Sequence, residues 1–230
     1  MYEASKTQAV RGDDFISEYF SGAVLDIGCG PDLVVPNARP FDIEDGDANC
    51  ILNYLKPETF DCVHSSHCLE HMKNVPSALA QWWALVKPGG YLVTVVPDED
   101  LYEQGIWPSV FNPDHKATFR LNKPASWSPV SYDVRELVAG LPGAEIVGCA
   151  LHDRGYDRRK LRNLPAAQKR ALLRFGARRD QFFARLMRRG WPVYRISQFL
   201  DRAEVALGKP VDQTLDDALA QIQIVARKSA

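Results

Sequence analysis

The stretch Val24-Leu25-Asp26-Ile27-Gly28-Cys29-Gly30-Pro31 constrains this chain more than any other. Apolar residues frame one acid, two glycines follow one residue apart, and a proline keeps the strand from continuing. The apolar run predicts a short buried strand over Val24 to Ile27. Gly28 and Gly30 lack Cβ atoms, so the turn after the strand can lie directly against a ligand. Asp26 then sits near the carboxyl end of the strand, where open α/β sheets bind their ligands. The third glycine of a dinucleotide fingerprint is missing, and so is the Lys of a phosphate-binding loop. An acid beside the turn repels a pyrophosphate and suits a cationic ligand.

Elements follow on both sides of this turn. Phe15, Ile16, Tyr19 and Phe20 have helical spacing, which predicts a short helix over Asp13 to Phe20. Three prolines between Pro31 and Pro40 leave little room for regular helix. Phe41-Asp42-Ile43 reads as the end of a second strand, and Gly46-Asp47-Ala48 follows closely. Thr59 to Val63 opens a further strand that runs into His64-Ser65-Ser66-His67-Cys68-Leu69-Glu70-His71. Val75 to Val86 is an amphipathic helix with Leu79, Trp82, Trp83 and Val86 inward, and Pro76 sits in its first turn, where a missing N–H does no harm. Lys87-Pro88-Gly89-Gly90 ends it, and Tyr91 to Val96 is a buried strand.

Taken in this order, the blocks from residue 23 to 97 resemble class I S-adenosylmethionine (SAM) dependent methyltransferases of the small-molecule type. The resemblance implies an α/β fold with a Rossmann-like sheet and SAM as cofactor. Its cationic ammonium and sulfonium agree with the acid at the turn. Asp26, Gly28 and Gly30 map to the first cofactor motif, and Asp42 to the acid that holds the ribose hydroxyls. Asp47 and Ala48 map to the adenine segment, and Ser65 and Ser66 to the strand exit at the methionine end. The family normally places a helix and a third strand between the two acids, which are nearly adjacent here. The strand 2–3 region is therefore compressed, and which of Asp42, Glu44 and Asp47 holds ribose or adenine stays open. The wording of residues 24–127 is also similar to a bacterial subgroup associated with polysaccharide and cell-surface glycan synthesis.

Residues 97–127 follow a strand at the carboxyl edge of the sheet, where substrate selection is expected. A long loop in a compact domain is commonly a lid or a binding element. Tyr102, Glu103, Trp107, Asn112 and Asp114 are the candidate acceptor-binding residues, since aromatic faces among polar groups suit a sugar ring. Asp114-His115 could form an oriented imidazole base, and His67 is the second candidate for that role. His64, His67, Cys68 and His71 have spacings that would present metal ligands on one helix. His64 should still be on the strand, however, so no metal set is expected; His71 reads as a capping or buried hydrogen-bonded residue.

Charge divides the chain. Residues 151–209 hold 16 Lys/Arg against 5 Asp/Glu, while the remainder has 12 against 24. Pro165 to Arg189 carries an apolar stripe of Leu172, Phe175, Phe182, Phe183, Leu186 and Met187 amid arginines, and Val193 to Leu207 reads as a second helix. Strand patterns at Glu145 to Ala150 and Gln221 to Ala226 flank this block. The expected organisation is a SAM-binding domain over 1–150 plus 210–230 and a basic helical insertion over 151–209, between the last two strands. The insertion is a solvated cap, a contact for an anionic substrate or a membrane surface, or, third in order, a nucleic-acid contact.

The expected activity is transfer of the SAM methyl to a hydroxyl, or in second place an amine, of a small or glycan-type acceptor. The alternatives are a nucleic-acid or protein methyltransferase and a non-catalytic interaction module. Five cysteines read as reduced thiols, and no apolar run is long enough for a signal peptide or membrane span, so a cytoplasmic address is expected. Oligomeric state is not legible.

Overall fold

The computed structural model describes residues 3–230. Two short helices, α1 (Glu3–Gln8) and α2 (Asp13–Tyr19), lead into β1 (Val24–Ile27) and β2 (Arg39–Phe41). A 3-10 turn over Ala48–Asn53 precedes β3 (Phe60–Ser66), a second over Leu69–His71 follows it, and then come α3 (Val75–Ala84) and β4 (Val86–Pro97). A π turn (Glu99–Glu103), β5 (Thr118–Arg120), β6 (Ser131–Asp133) and α4 (Val134–Ala139) lead to β7 (Ala144–His152). Helices α5 (Ala166–Arg188) and α6 (Tyr194–Ala206) come next, and β8 (Gln221–Lys228) closes the chain.

The main sheet has the order β2-β1-β3-β4-β8-β7. Its first four strands are parallel, while β8 runs antiparallel to both β4 and β7. β7 and β8 thus form an antiparallel pair, with both long helices in the connection between them. Between Asp42 and Asp47 there is no strand, and the 3-10 turn follows directly, so β2 ends the sheet on that side. The 97–127 segment is less irregular than its sequence suggests. Asp98 caps the π turn by accepting hydrogen bonds from the Asp100 and Leu101 N–H groups, and β5 pairs in parallel with β6.

Strand alternation sorts the interior into two layers. Leu25, Ile27, Val63, Leu92 and Ile224 pack beneath α3 and α4 with Leu79, Trp82, Val134 and Val138. Val24, Cys62, Val93 and Val225 face the other way, against Phe20, Val34 and Val35. β1 is buried along its whole length, as a parallel central strand requires. Asn74 caps α3 by accepting from the Ser77 N–H (3.0 Å), with a proline in the first turn. Because side chains alternate, Asp26 and His64 share the α2 face of the sheet, and the β1–β3 register sets them opposite each other.

Candidate active site

Cross-strand pairing determines what Asp26 does. Its Oδ1 lies 2.6 Å from His64 Nδ1, and its Oδ2 accepts the Val34 N–H at 2.7 Å. Both residues are buried, and burial holds the His64 pKa below its ordinary value. Arg11 closes the chain from the far side, with Nη2 3.5 Å from His64 Nε2 and Nε donating to Gln223 Oε1 at 2.7 Å. Burial brings the Arg11 guanidinium down to about 10. Asp26 still borders the cavity above the turn, with most of its hydrogen-bonding capacity spent inward.

The two turn glycines have different jobs. Gly28 has φ 71°, and a Cβ there would come within 2.5 Å of Cys68 Sγ, so the small residue lets the β1 and β3 exits approach. Gly30 has φ 52° with open space where a Cβ would point, and its N–H donates to Asp42 Oδ2 at 2.7 Å. Asp42 also accepts the Ile43 N–H at 2.7 Å. Its carboxylate therefore stands fixed at the end of β2, bridging the first and second strand exits.

Two adjoining cavities, of about 460 Å³ and 720 Å³, share Gly28, Asp42, His67 and His71. The larger one runs past Asp47, Ala48 and Tyr54. Asp47 caps the 3-10 turn, and the hydrogen bonds it accepts from Asn49 lower its pKa. The smaller cavity runs from Asp26 and Gly30 past Ser66 to Tyr102, Phe111 and Asn112. Ser66 Oγ is buried there without a hydrogen-bond partner. Ser65 points to the α3 side of the sheet and does not border either cavity. His67 has φ 52°, an uncommon conformation for a residue with a side chain, and its Nε2 is 2.9 Å from Gln221 Oε1.

The acceptor candidates divide in the same way. Tyr102 and Asn112 line the smaller cavity and Asp114 the larger, whereas Trp107 lines neither. Glu103 is buried behind His115, with Oε1 2.6 Å from His115 Nδ1. Asp114 instead contacts His71 Nδ1 at 2.8 Å and Lys116 Nζ at 2.7 Å. The neighbouring pair Asp114-His115 thus does not form the expected carboxylate–imidazole couple: Asp114 orients His71, and Glu103 orients His115. His115 stacks on Tyr102 with centroids 5.2 Å apart. Burial works against a charged His115, but the Glu103 hydrogen bond and the charges of Glu70, Glu103 and Asp114 outweigh it and raise its pKa. Glu70 and His71, absent from the expected site, line this cavity as well.

Residues 13–123 match the sequence model of a family described as a methyltransferase domain. That stretch, just under half of the chain, is thus similar to a methyltransferase domain. No curated protein matches its sequence. Among solved structures, a SAM-dependent methyltransferase from Archaeoglobus fulgidus is similar at 16% identity and a TM-score of 0.49, covering 99% of this chain and 95% of that one. Phosphoethanolamine N-methyltransferase 2 of Haemonchus contortus, solved with phosphomonomethylethanolamine and S-adenosylhomocysteine, is similar at 13% identity and a TM-score of 0.47. That alignment covers 97% of this chain and 53% of the other. Both cavities are bordered by Asp42, which follows β2. No helix among the described residues is long and apolar enough to cross a membrane.

The residues present fit a cationic cofactor. Asp26, Asp32, Asp42 and Glu70 border the smaller cavity, and no Lys or Arg does among the described residues. The open side of Gly30 and the unpartnered Ser66 Oγ add a bare backbone surface and a buried polar atom at the same place.

Proposed function

We propose that this chain binds SAM along the two joined cavities and methylates a hydroxyl of a small or glycan-type acceptor, with an amine as the second choice. The observation that carries the reading is the Asp42 carboxylate, tied to the Gly30 N–H and bordering both cavities. In this reading Asp42 accepts the ribose hydroxyls, Asp47 and Ala48 border the adenine, and Gly28, Gly30 and Ser66 border the methionine. Asp26 contributes negative potential and holds the turn through Val34. When bound, SAM supplies a methyl group on a sulfonium sulfur.

The chain's own residues align the acceptor and keep water out. Tyr102, Phe111 and Asn112 offer aromatic faces and an amide to a ring with hydroxyls. The smaller cavity is bordered by acids and, among the described residues, by no Lys or Arg, so a neutral acceptor fits it better than an anionic one. A proton leaving the acceptor hydroxyl has two imidazoles within reach, His67 and His115. His115 keeps Nδ1 on Glu103, so Nε2 is the one ring nitrogen it has left, for a proton or for another partner but not for both at once. The basic helices are proposed to rest on an anionic surface, a membrane foremost, because Phe175, Phe182, Trp191 and Phe199 stand exposed among arginines.

Calorimetric titration of SAM and S-adenosylhomocysteine into the full chain tests the reading. Micromolar binding of both is expected, with Asp42→Ala weakening it at least tenfold, about 1.4 kcal/mol. Equal affinity in that variant would remove the assigned role of Asp42, and no binding of either compound would remove the reading.

A further inference from the structure

Glu70 is fully buried, yet neither of its carboxylate oxygens receives a hydrogen bond. Such a group is costly unless something cationic answers it. Around Oε1 lie His67 Nδ1 at 3.6 Å, His71 Nε2 at 3.9 Å and His115 Nε2 at 3.9 Å. Those separations are too long for hydrogen bonds. They are the right size for something else: ligand–metal bonds of about 2.0–2.2 Å set two ligand atoms of one ion about 3–4 Å apart. One ligand atom from each of Glu70, His71 and His115 lies within 4.8 Å of the other two.

The supporting shell points the same way. A metal-bound imidazole usually gives its other nitrogen to a carboxylate, which fixes the ring and its tautomer. His71 does so with Asp114 at 2.8 Å, and His115 does so with Glu103 at 2.6 Å, each through Nδ1. Both Nε2 atoms are thereby turned toward Glu70. The backbone holds the two halves together, since the Glu70 carbonyl accepts the Lys116 N–H at 2.7 Å. Charge agrees as well. Of the three carboxylates around the two imidazoles, Asp114 is answered by Lys116 at 2.7 Å, and a divalent cation would balance the remaining two, Glu70 and Glu103.

We propose that Glu70, His71 and His115 bind a divalent first-row transition-metal ion at the acceptor end of the cavity. Two imidazoles and one carboxylate suit zinc, manganese or iron(II) better than an oxygen-preferring ion such as magnesium. Three protein ligands leave positions open toward the cavity, as in catalytic metal sites. On the methyl-transfer reading above, on which this role rests, an acceptor hydroxyl takes one of them. Coordination makes its proton more acidic, and, with His115 Nε2 engaged as a ligand and so no longer a base, the proton leaves to solvent water. The oxygen lone pair then forms the new C–O bond while the C–S bond breaks and its electrons stay on sulfur, giving a methyl ether and S-adenosylhomocysteine.

The test uses the full chain, freed of metal by a chelator and titrated with cobalt(II) and zinc(II). A visible cobalt d–d band saturating at one ion per chain is expected, with zinc displacing it. His71→Ala and His115→Ala should weaken binding at least about 100-fold, and Glu103→Gln and Asp114→Asn about 10- to 100-fold. Glu70→Gln keeps the side-chain shape, so loss of the band in a variant with the wild-type circular dichroism is a loss of ligation. A wild-type protein that takes up no ion, or a His71→Ala/His115→Ala double variant that keeps the band, overturns the site. SAM titration of the same samples is a separate readout. Metal without SAM binding leaves the site standing and removes the methyl-transfer reading; SAM binding without metal does the reverse.

Discussion

The glycine-turn cavity and the α5–α6 hairpin handle charge in opposite ways. Around the cavity, carboxylates such as Asp26 and Asp42 are tied to backbone N–H groups on short turns and border the open space. In the hairpin, a charged cluster occupies the interior beside Phe183. Arg179 Nη1 lies 2.7 Å from Glu204 Oε1, Lys209 Nζ lies 3.1 Å from Glu204 Oε2, and Asp201 contacts both cations. Gly176 makes room for this cluster, since a Cβ there would come within 2.8 Å of Glu204 Oε2. The apolar residues are then displaced outward: Phe175 is 61% exposed, Phe182 57% and Phe199 70%. One region shows its charge to a ligand, the other its apolar side chains to the surroundings. The hairpin is nevertheless anchored to the body, where Lys169 Nζ donates to the Gln104 carbonyl and Arg170 Nη2 to that of Pro108 (3.1 Å).

The largest effect should come from the cavity side. Gly28→Ala would put a methyl group on Cys68 and force a side chain into left-handed backbone. Left-handed strain and overpacking together predict a loss of about 3 kcal/mol, read by urea unfolding, with SAM binding lost as well. Gly30→Ala meets no protein atom within 4 Å, so only the backbone strain of about 1–2 kcal/mol should appear in stability. Equal losses at the two glycines would mean that the Cys68 contact contributes nothing.

Arg179→Ala should act next, and only on the hairpin. Removing the guanidinium leaves Glu204, 4% exposed, with Lys209 as its remaining cation. Breaking a buried pair from one side costs about 3–5 kcal/mol, and the partial compensation by Lys209 puts the expected loss nearer 2 kcal/mol. Hydrogen exchange should show opening confined to α5 and α6, with SAM affinity unchanged. Opening that spreads to β7 and β8 would show that the two regions fold as one cooperative unit.

How far these features were legible depends on whether the signal was local. The β1 turn, α3 and the Lys87-Pro88-Gly89-Gly90 entry to β4 could be read because apolar periodicity and turn residues sit next to one another in sequence. The absent strand between Asp42 and Asp47 was readable as a shortage of residues. The grouping of Glu70, His71 and His115 was not. His71 and His115 are brought together by contacts distant in sequence, the Lys116 N–H on the Glu70 carbonyl and Asp114 on His71 among them, and no periodicity reports such contacts. Adjacency misled at Asp114-His115, where successive side chains turn to different partners. His64 is on the strand, as expected, and faces Asp26; the group proposed above joins His71 to Glu70 and His115, a combination that histidine spacing alone does not show. In the hairpin, an apolar stripe was plain, but a stripe does not say whether it faces a core or the outside.

That last ambiguity sets the smallest predicted change in stability and the clearest difference in binding. Phe182 and Phe199 are exposed, so Phe182→Ser with Phe199→Ser should shift unfolding by less than about 0.5 kcal/mol each. If the hairpin rests on a lipid surface, the wild-type chain should sediment with vesicles containing phosphatidylserine and much less with pure phosphatidylcholine. Raised salt should weaken the association, because exposed arginines are screened within about 10 Å at 0.1 M ionic strength. The double variant should lose most of the bound fraction at any salt, since the apolar contribution goes with the two rings. Arginine contact alone would instead leave the double variant bound at low salt, and the outward-facing phenylalanines would then need a protein surface to explain them.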